Sequence, residues 1–246
     1  MVKKSTLMST AGTLLVLASG TTYYLTQAHS DTEPSTPDAV ATAPEPSDQF
    51  TDATCPAPAA IDSPKLEPHS WFSPSLNASA TFHPSETLPT ESVSDEGIIY
   101  SPSQEIGSTE GVSLLAGHVD LEPGVLSDRG GELTAWGHLH QVKACDLFYT
   151  ADDQGKVSVS QVTGVIVAPQ FDPELEDKAK AEPQNKQLQE ALKKQQELEA
   201  RIFTASGPAK VDFLTCSGPS VADVGGVFQF RYTNNLIIET TLVPGT

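Results

Sequence analysis

The stretch that most constrains the fold is residues 211–242, where two segments alternate apolar and polar side chains on either side of a glycine-containing link. Alternation with a period of two is typical of a β-strand, so each segment predicts a strand. The first strand is predicted to end at Cys216, before a turn at residues 217–219. The second is predicted to hold Arg231 on its polar face. If the two strands pair, the guanidinium lies near the sulfur.

Cys216 needs a base before it can act as a nucleophile, because the thiolate rather than the thiol attacks a carbonyl group. The candidate base is His118, which lies in the segment Gly-His-Val-Asp at the end of an apolar strand pattern that begins at Val112. Its imidazole would take the thiol proton and later give a proton to the departing amine. Arg231 would stabilise the oxyanion. Together the three side chains describe acyl transfer through a thioester.

Three motifs occur in a fixed order: Ala-Gly-His-Val-Asp at 116–120, Leu-Thr-Cys-Ser-Gly at 214–218, and Phe-Arg-Tyr-Thr-Asn-Asn at 230–235. This set resembles the His, Cys and Arg motifs of sortases, and is most similar to the actinobacterial class F or the neighbouring class E. The resemblance covers residues 71–242. It implies that Cys216 is the nucleophile, that His118 transfers the proton, and that Arg231 faces the oxyanion.

The resemblance also implies a reaction and its partners. A sortase of a Gram-positive cell cleaves secreted proteins at an LPxTG-type signal, between Thr and Gly, and transfers the acyl group to an amine of a peptidoglycan precursor or a pilin. No cofactor is expected. Two alternatives stay open: a hydrolase that transfers the acyl group of the same signal to water, and a noncatalytic surface-binding barrel that retains the motifs.

The predicted fold is mostly β. Candidate strands lie at 71–82, 112–117, 145–150, 156–168, 211–216, 228–233 and 236–242, and short strands at this spacing suggest a closed barrel. Sortases have an eight-stranded β-barrel with a few helices, which agrees with this number. A helical insertion is expected at 173–203, with an amphipathic helix after Pro183, directly before the Cys216 strand. The helix is expected to form a wall of the substrate groove or only to pack on the barrel.

The chain is predicted to have three parts. Residues 1–28 carry an uncharged run after two lysines, which predicts a single membrane anchor or, alternatively, a cleaved signal peptide. Residues 29–66 are rich in Pro, Ser, Thr and acidic side chains, and predict a disordered tether. Residues 67–246 form the catalytic domain, on the extracellular side. The net charge of −18 and a pI near 4.5 argue against nucleic acid as a partner.

Other polar residues have weaker interpretations. Thr215, beside the nucleophile, is a candidate substrate-binding residue or an ordinary strand residue. Asp120 is expected to be a solvated turn carboxylate rather than a partner of His118. His138 and His140 could join His118 around a metal ion, but their spacing alone is weak evidence and no metal site is predicted. An exported compartment permits a disulfide between the two other cysteines, Cys55 and Cys145, without requiring one.

Overall fold

The structure is a computed structural model that describes residues 42–43, 45–58, 63–87, 96–119, 134–203, 207–222 and 230–245. The side chains of residues 42, 43, 219–222, 230 and 231 are outside this description. The predicted anchor or signal segment at 1–28 also lies outside it. Across the part of the chain that is described, no helix is long and apolar enough to cross a membrane.

Eight strands close into a barrel. Going round it, the order is β8, β5, β4, β3, β2, β6, β7, β9, and β9 pairs back with β8. This closure confirms the mostly-β, eight-stranded barrel expected from the sequence. A short additional strand, β1, pairs with β8 outside the ring. The strands are β1 Thr42–Ala43, β2 Ser70–Ser73, β3 Ala78–Ser85, β4 Gly97–Tyr100, β5 Val112–Ala116, β6 Leu147–Ala151, β7 Val157–Pro169, β8 Lys210–Ala222 and β9 Phe230–Leu242.

The barrel interior is filled by aromatic side chains. Trp71, Trp136, Phe148 and Phe213 are fully buried, and their rings contact one another at centroid separations of 4.4–6.3 Å. Aromatic pairs at such separations add to the hydrophobic stabilisation that their burial supplies. Trp136 comes from a short 3-10 helix, Ala135–Gln141.

A second apolar cluster lies on the opposite face of β4, β5, β8 and β9. It consists of Ile98, Leu114, Ala116, Leu214, Ile237 and, from outside the barrel, Ile202. Because alternate residues of a strand point to opposite faces, Leu214 packs here while its neighbour Phe213 packs inside the barrel. The outer face of these strands is therefore buried as well, at the place where the helical insertion returns to the barrel.

The helical insertion consists of α1, Leu175–Ala181, and α2, Lys186–Ile202. Pro183 lies between them, and Asn185 caps α2 by accepting a hydrogen bond from the backbone of Leu188. These helices confirm the predicted break and the predicted helix. Of the residues in α2, only Ile202 is fully buried, so the helix packs on the barrel mainly through its C-terminal end. The exposed surface carries i,i+4 ion pairs instead.

Several strand boundaries differ from those predicted. The segment 71–82 is two strands, β2 and β3, joined by a turn, and β4 was not predicted. The two predicted strands at 228–233 and 236–242 are one strand, β9. The predicted turn at 217–219 is wrong, since β8 continues to Ala222. A register shift between Ser217 and Ser220 lets β8 pass this Gly-Pro segment and stay paired with β9.

Residues 45–58 lie inside the span predicted as a disordered tether, but they pack on the barrel. Phe50 and Val165 exchange backbone hydrogen bonds of 2.8 and 3.0 Å. A disulfide joins Cys55 to Cys145, whose Cα atoms are 5.3 Å apart. The sequence left this pairing open, and the structure shows it. The cross-link and the backbone pairing supply the fixed contacts that Pro- and Ser-rich composition alone does not indicate.

Candidate active site

Cys216 lies near the middle of β8, on the face covered by the second apolar cluster. Asp212, Leu214 and Cys216 alternate along this face. The thiol is half-buried and lies outside the disulfide. Since Cys55 and Cys145 are bonded to each other, Cys216 carries the one thiol of the three cysteines. This exposure leaves the sulfur open to a substrate.

The parallel pairing of β5 with β8 brings the backbone just before His118 beside the backbone just before Cys216. In this register Ala116 lies opposite Leu214, and the backbone N–H of Gly117 donates a 3.0 Å hydrogen bond to the carbonyl of Leu214. His118 and Cys216 each lie two residues after this pair. Extending the same register would place them opposite each other on neighbouring strands. Ala116 and Leu214 share a cluster, so the two positions also share a face.

The loop after His118 packs against the Cys216 strand. Val119 and Tyr232 form a small buried cluster, and Cys216 packs against it. This contact joins the three motif regions, because Val119 follows His118 and Tyr232 follows Arg231. Residues next to His118 and Arg231 therefore contact Cys216.

The backbone around His118 is held by residues that the sequence analysis missed. Thr134, the N-cap of the 3-10 helix, donates a 2.5 Å side-chain hydrogen bond to the carbonyl of His118 and a 3.2 Å backbone hydrogen bond to that of Val119. Trp136 lies flat against Gly117, where an added Cβ would overlap the indole ring. Because residue 117 is a glycine, the indole of Trp136 can contact the backbone directly, one residue before His118. No local motif signalled either contact.

Arg231 lies on β9, opposite Val221. The residue directly opposite Cys216 is Asn235, four positions further along β9. At about 3.4 Å per strand residue, Arg231 starts about 13 Å along the strand from that position. Its side chain lies outside the description, so its role at the oxyanion stays a prediction.

Two carboxamides that the sequence analysis did not single out lie next to the sulfur. The Nε2 atom of Gln170 is 3.9 Å from Sγ of Cys216. Asn235 lies opposite Cys216 and is 8% exposed. Gln170 also lines a groove of about 500 Å³ between the end of β7 and α2, together with Phe171, Leu175, Ala191, Gln195 and Leu198 among others. The helical insertion therefore forms a wall of this groove, whose lining includes the Gln170 that contacts Cys216, as well as packing on the barrel.

The remaining candidates occupy less direct positions. Thr215 is 3% exposed and lies on the barrel-interior face with Phe213, opposite to the face of Cys216, which favours its interpretation as a strand residue. His140 bonds through Nδ1 to the carbonyl of Gly137, within the 3-10 helix. Asp120 lies outside the described residues. No group of three or more His, Cys, Asp or Glu residues suited to a metal ion occurs in the described ranges.

A buried charge cluster lies behind the site on the same face of β8 and β9. Arg201, in the last turn of α2, donates through Nε and Nη2 to both carboxylate oxygens of Glu239, whose side chain is 1% exposed. Asp212 is fully buried beside this pair, and one of its oxygens accepts a 2.9 Å hydrogen bond from the backbone of Thr240. Desolvation by burial raises the pKa of Asp212 to about 7. The cluster ties α2 to β9, the strand that pairs with the one carrying Cys216.

Removing the Arg201 side chain is expected to destabilise the protein. Arg201→Ala leaves the buried carboxylate of Glu239 without its bidentate partner, which lowers the free energy of unfolding by about 3 kcal/mol. This is the low end of the range for a broken buried pair, since the Arg201 side chain is 35% exposed. Urea unfolding near neutral pH measures the loss. The double variant Arg201→Ala/Glu239→Gln should recover part of the lost free energy of unfolding. If the double variant is no more stable than Arg201→Ala alone, the buried-charge explanation is contradicted.

Comparisons with known proteins give structural matches. No protein-family model matches the sequence, and no curated protein does. The sortase D5 transpeptidase of Clostridium perfringens is 8% identical, with a TM-score of 0.41 over 74% of this chain and 82% of that chain. Sortase E1 from Streptomyces coelicolor, solved with a tripeptide in the active site, is 12% identical, with a TM-score of 0.41 over 74% and 91%. The catalytic domain of SrtD from B. anthracis is 13% identical, with a TM-score of 0.40 over 75% and 93%. Structural similarity at these identities and TM-scores carries no argument about the chemistry of this chain.

Proposed function

We propose that the protein is a sortase-like cysteine transpeptidase, most similar to class F or class E enzymes. Cys216 attacks the carbonyl of the Thr-Gly bond in an LPxTG-type signal of a secreted protein and forms a thioacyl intermediate. An amine of a peptidoglycan precursor or a pilin then takes the acyl group. The observation that supports the proposal is the parallel pairing of β5 with β8, in which Ala116 lies opposite Leu214, each two residues before His118 or Cys216.

The roles of the side chains follow from this arrangement. His118 accepts the thiol proton as the sulfur attacks, and donates a proton to the amine that leaves. Arg231 supplies positive charge to the developing oxyanion from the neighbouring strand. The groove between β7 and α2 receives the peptide on the acyl side of the scissile bond. In this proposal residues 1–28 hold the domain at the outer surface of the cell membrane.

The test is direct detection of the acyl enzyme. The protein is incubated with a panel of peptides that carry LPxTG-type signals, with and without an added glycine oligopeptide or lysine peptide, and the products are analysed by mass spectrometry. A transpeptidase gives an acyl adduct on Cys216 and, with the amine, a new amide product. Cys216→Ala gives neither. A hydrolase gives the free acid whether or not amine is present, and a noncatalytic barrel gives no adduct on Cys216 with any peptide.

A further inference from the structure

The carboxamide of Asn235 is buried across from Cys216, and among the described residues its N–H groups have no acceptor. Asn235 and Cys216 are cross-strand partners, and such partners point to the same face with Cβ atoms about 4.5–5.5 Å apart. Asn235 is 8% exposed, and its Nδ2 atom has no hydrogen-bond partner among the described residues. A buried donor without an acceptor costs free energy, so native proteins rarely keep one. An acceptor that arrives with the substrate would satisfy this donor.

Gln170 reaches the same sulfur from the end of β7, the strand that pairs with β9 on the side away from β8. Ala168 on β7 lies opposite Asn235, and Gln170 is two residues further along, so it lies on the same face. Its backbone N–H donates a 3.1 Å hydrogen bond to the carbonyl of Thr233, which fixes the chain beyond the end of β7. From there its Nε2 atom lies 3.9 Å from Sγ of Cys216. The thiol therefore has a fixed carboxamide donor on the side that faces the groove.

We infer that Gln170 and Asn235 form a pair of carboxamide donors around the reacting atoms, with Gln170 stabilising the Cys216 thiolate and Asn235 binding the oxyanion. The inference rests on the proposed acyl transfer for its substrate. As the C–S bond forms, the π electrons of the C=O bond move to oxygen, and Nδ2 of Asn235 donates a hydrogen bond to that O⁻. The electrons on O⁻ then re-form the C=O bond as the C–N bond breaks; the C–N electron pair leaves on nitrogen, which takes the proton that His118 accepted from the thiol. The two carboxamides supply hydrogen bonds and exchange no protons.

The two carboxamides act on different atoms because they lie at different positions around Cys216. Gln170 contacts the sulfur, so it acts on the nucleophile before any substrate arrives. Asn235 lies directly across from Cys216 on the neighbouring strand, so its donor acts on a carbonyl that becomes attached to the sulfur. A hydrogen bond to a charged acceptor is stronger than one to a neutral acceptor, so both donors act mainly on the charged species, thiolate and oxyanion. Two different reagents can therefore separate the two roles.

The test compares alkylation by iodoacetamide with acylation by p-nitrophenyl acetate. Both require the thiolate, but only acylation passes through an oxyanion. Asn235→Ala is expected to slow acylation by about 10²-fold, the usual effect of losing one oxyanion donor, and to leave alkylation within about twofold. Gln170→Ala is expected to slow alkylation near neutral pH by about tenfold, because the thiolate loses its donor, and to slow acylation at least as much.

Matched controls come from the same strands. Asn234→Ala changes the same residue type one position away on the other face of β9, and Gln161→Ala changes a glutamine of β7 that bonds to Pro56 instead. Both are expected to react as the unmodified protein does. Asn235→Leu keeps the side-chain size without the donor, so it separates the chemical effect from a folding defect, which circular dichroism and thermal melting would show.

Two outcomes would overturn the inference. In the first, the folded Asn235 variants slow alkylation and acylation by the same factor, or slow neither reaction. In the second, Gln170→Ala leaves the alkylation rate unchanged. Neither reagent carries a sorting signal, so these results do not depend on the peptide assay of the proposed function. If no peptide in the panel is processed while acylation still depends on Asn235, the proposed substrate is wrong and the donor pair stands.

Discussion

Replacing His118 by alanine is expected to slow formation of the acyl adduct on Cys216 by about 10³-fold near neutral pH. The pairing of β5 with β8 runs to Ala116 and Leu214, two residues before His118 and Cys216, and Thr134 bonds to the backbone carbonyl of His118. Without it, no positioned base takes the thiol proton and no acid protonates the leaving amine. Single-turnover mass spectrometry with an LPxTG-type peptide measures the rate.

The pH dependence of the His118 variant adds a second measurement. Raising the pH above about 8.5 forms thiolate without a base, so alkylation by iodoacetamide should recover. Acylation by the peptide should recover less, because its amine leaving group still lacks a proton donor. The control is His83→Ala, which removes an exposed histidine of β3. A His118→Ala variant that stays within tenfold of the unmodified rate, when His83→Ala does too, would rule His118 out as the base.

The second large effect concerns stability and comes from Asp212. Below about pH 4 its carboxyl is protonated in both the folded and the unfolded chain. Between about pH 4 and about pH 7 the unfolded chain has lost this proton, while burial keeps it on the folded chain. The folded state therefore binds more protons across this window, and the free energy of unfolding falls as the pH rises. At 1.36 kcal/mol per pKa unit the contribution falls by about 4 kcal/mol.

Asp212→Asn is expected to remove this contribution. Its carbonyl oxygen can still accept the hydrogen bond from the backbone of Thr240, so the flattening of the pH profile reports the lost titration. Urea unfolding at several values between about pH 4 and about pH 8 measures the slope. Asp212→Leu serves as a second variant, because it also lacks the carboxyl but packs differently beside Leu214. If the full slope persists in both variants, another group is responsible for it.

The stability effects bear on function because of where the buried charges lie. Asp212 and Glu239 occupy the same outer face of β8 and β9 as Cys216 and Asn235. Arg201 bonds to Glu239 from the last turn of α2, and Ile202 is buried next to Leu214 and Ile237. The end of the helix that forms the groove wall is thus fixed to the strand that carries the nucleophile. Loss of Arg201 should loosen the groove as well as lower stability.

The sequence by itself determined the parts of this protein that have a local signal. Period-two alternation predicted most of the strands, and the charged, glycine-free segment around Pro183 predicted a break followed by an amphipathic helix, which is α2. The segments around His118 and Cys216 were singled out by their residue types, and the structure brings them together. These predictions succeeded for one reason: periodicity, caps and motifs depend only on residues that are close together in the sequence.

Only the tertiary structure decided how distant segments align. The continuation of β8 past Gly218 depends on its long pairing with β9, which overrides the turn that the local residues favour. The same pairing puts Asn235 opposite Cys216, and the pairing of β7 with β9 brings Gln170 to the sulfur. The disulfide of Cys55 and the pKa of Asp212 likewise come from packing. Register between strands far apart in the chain, and the burial it produces, have no local signature, because one added residue in a bulge shifts every contact beyond it.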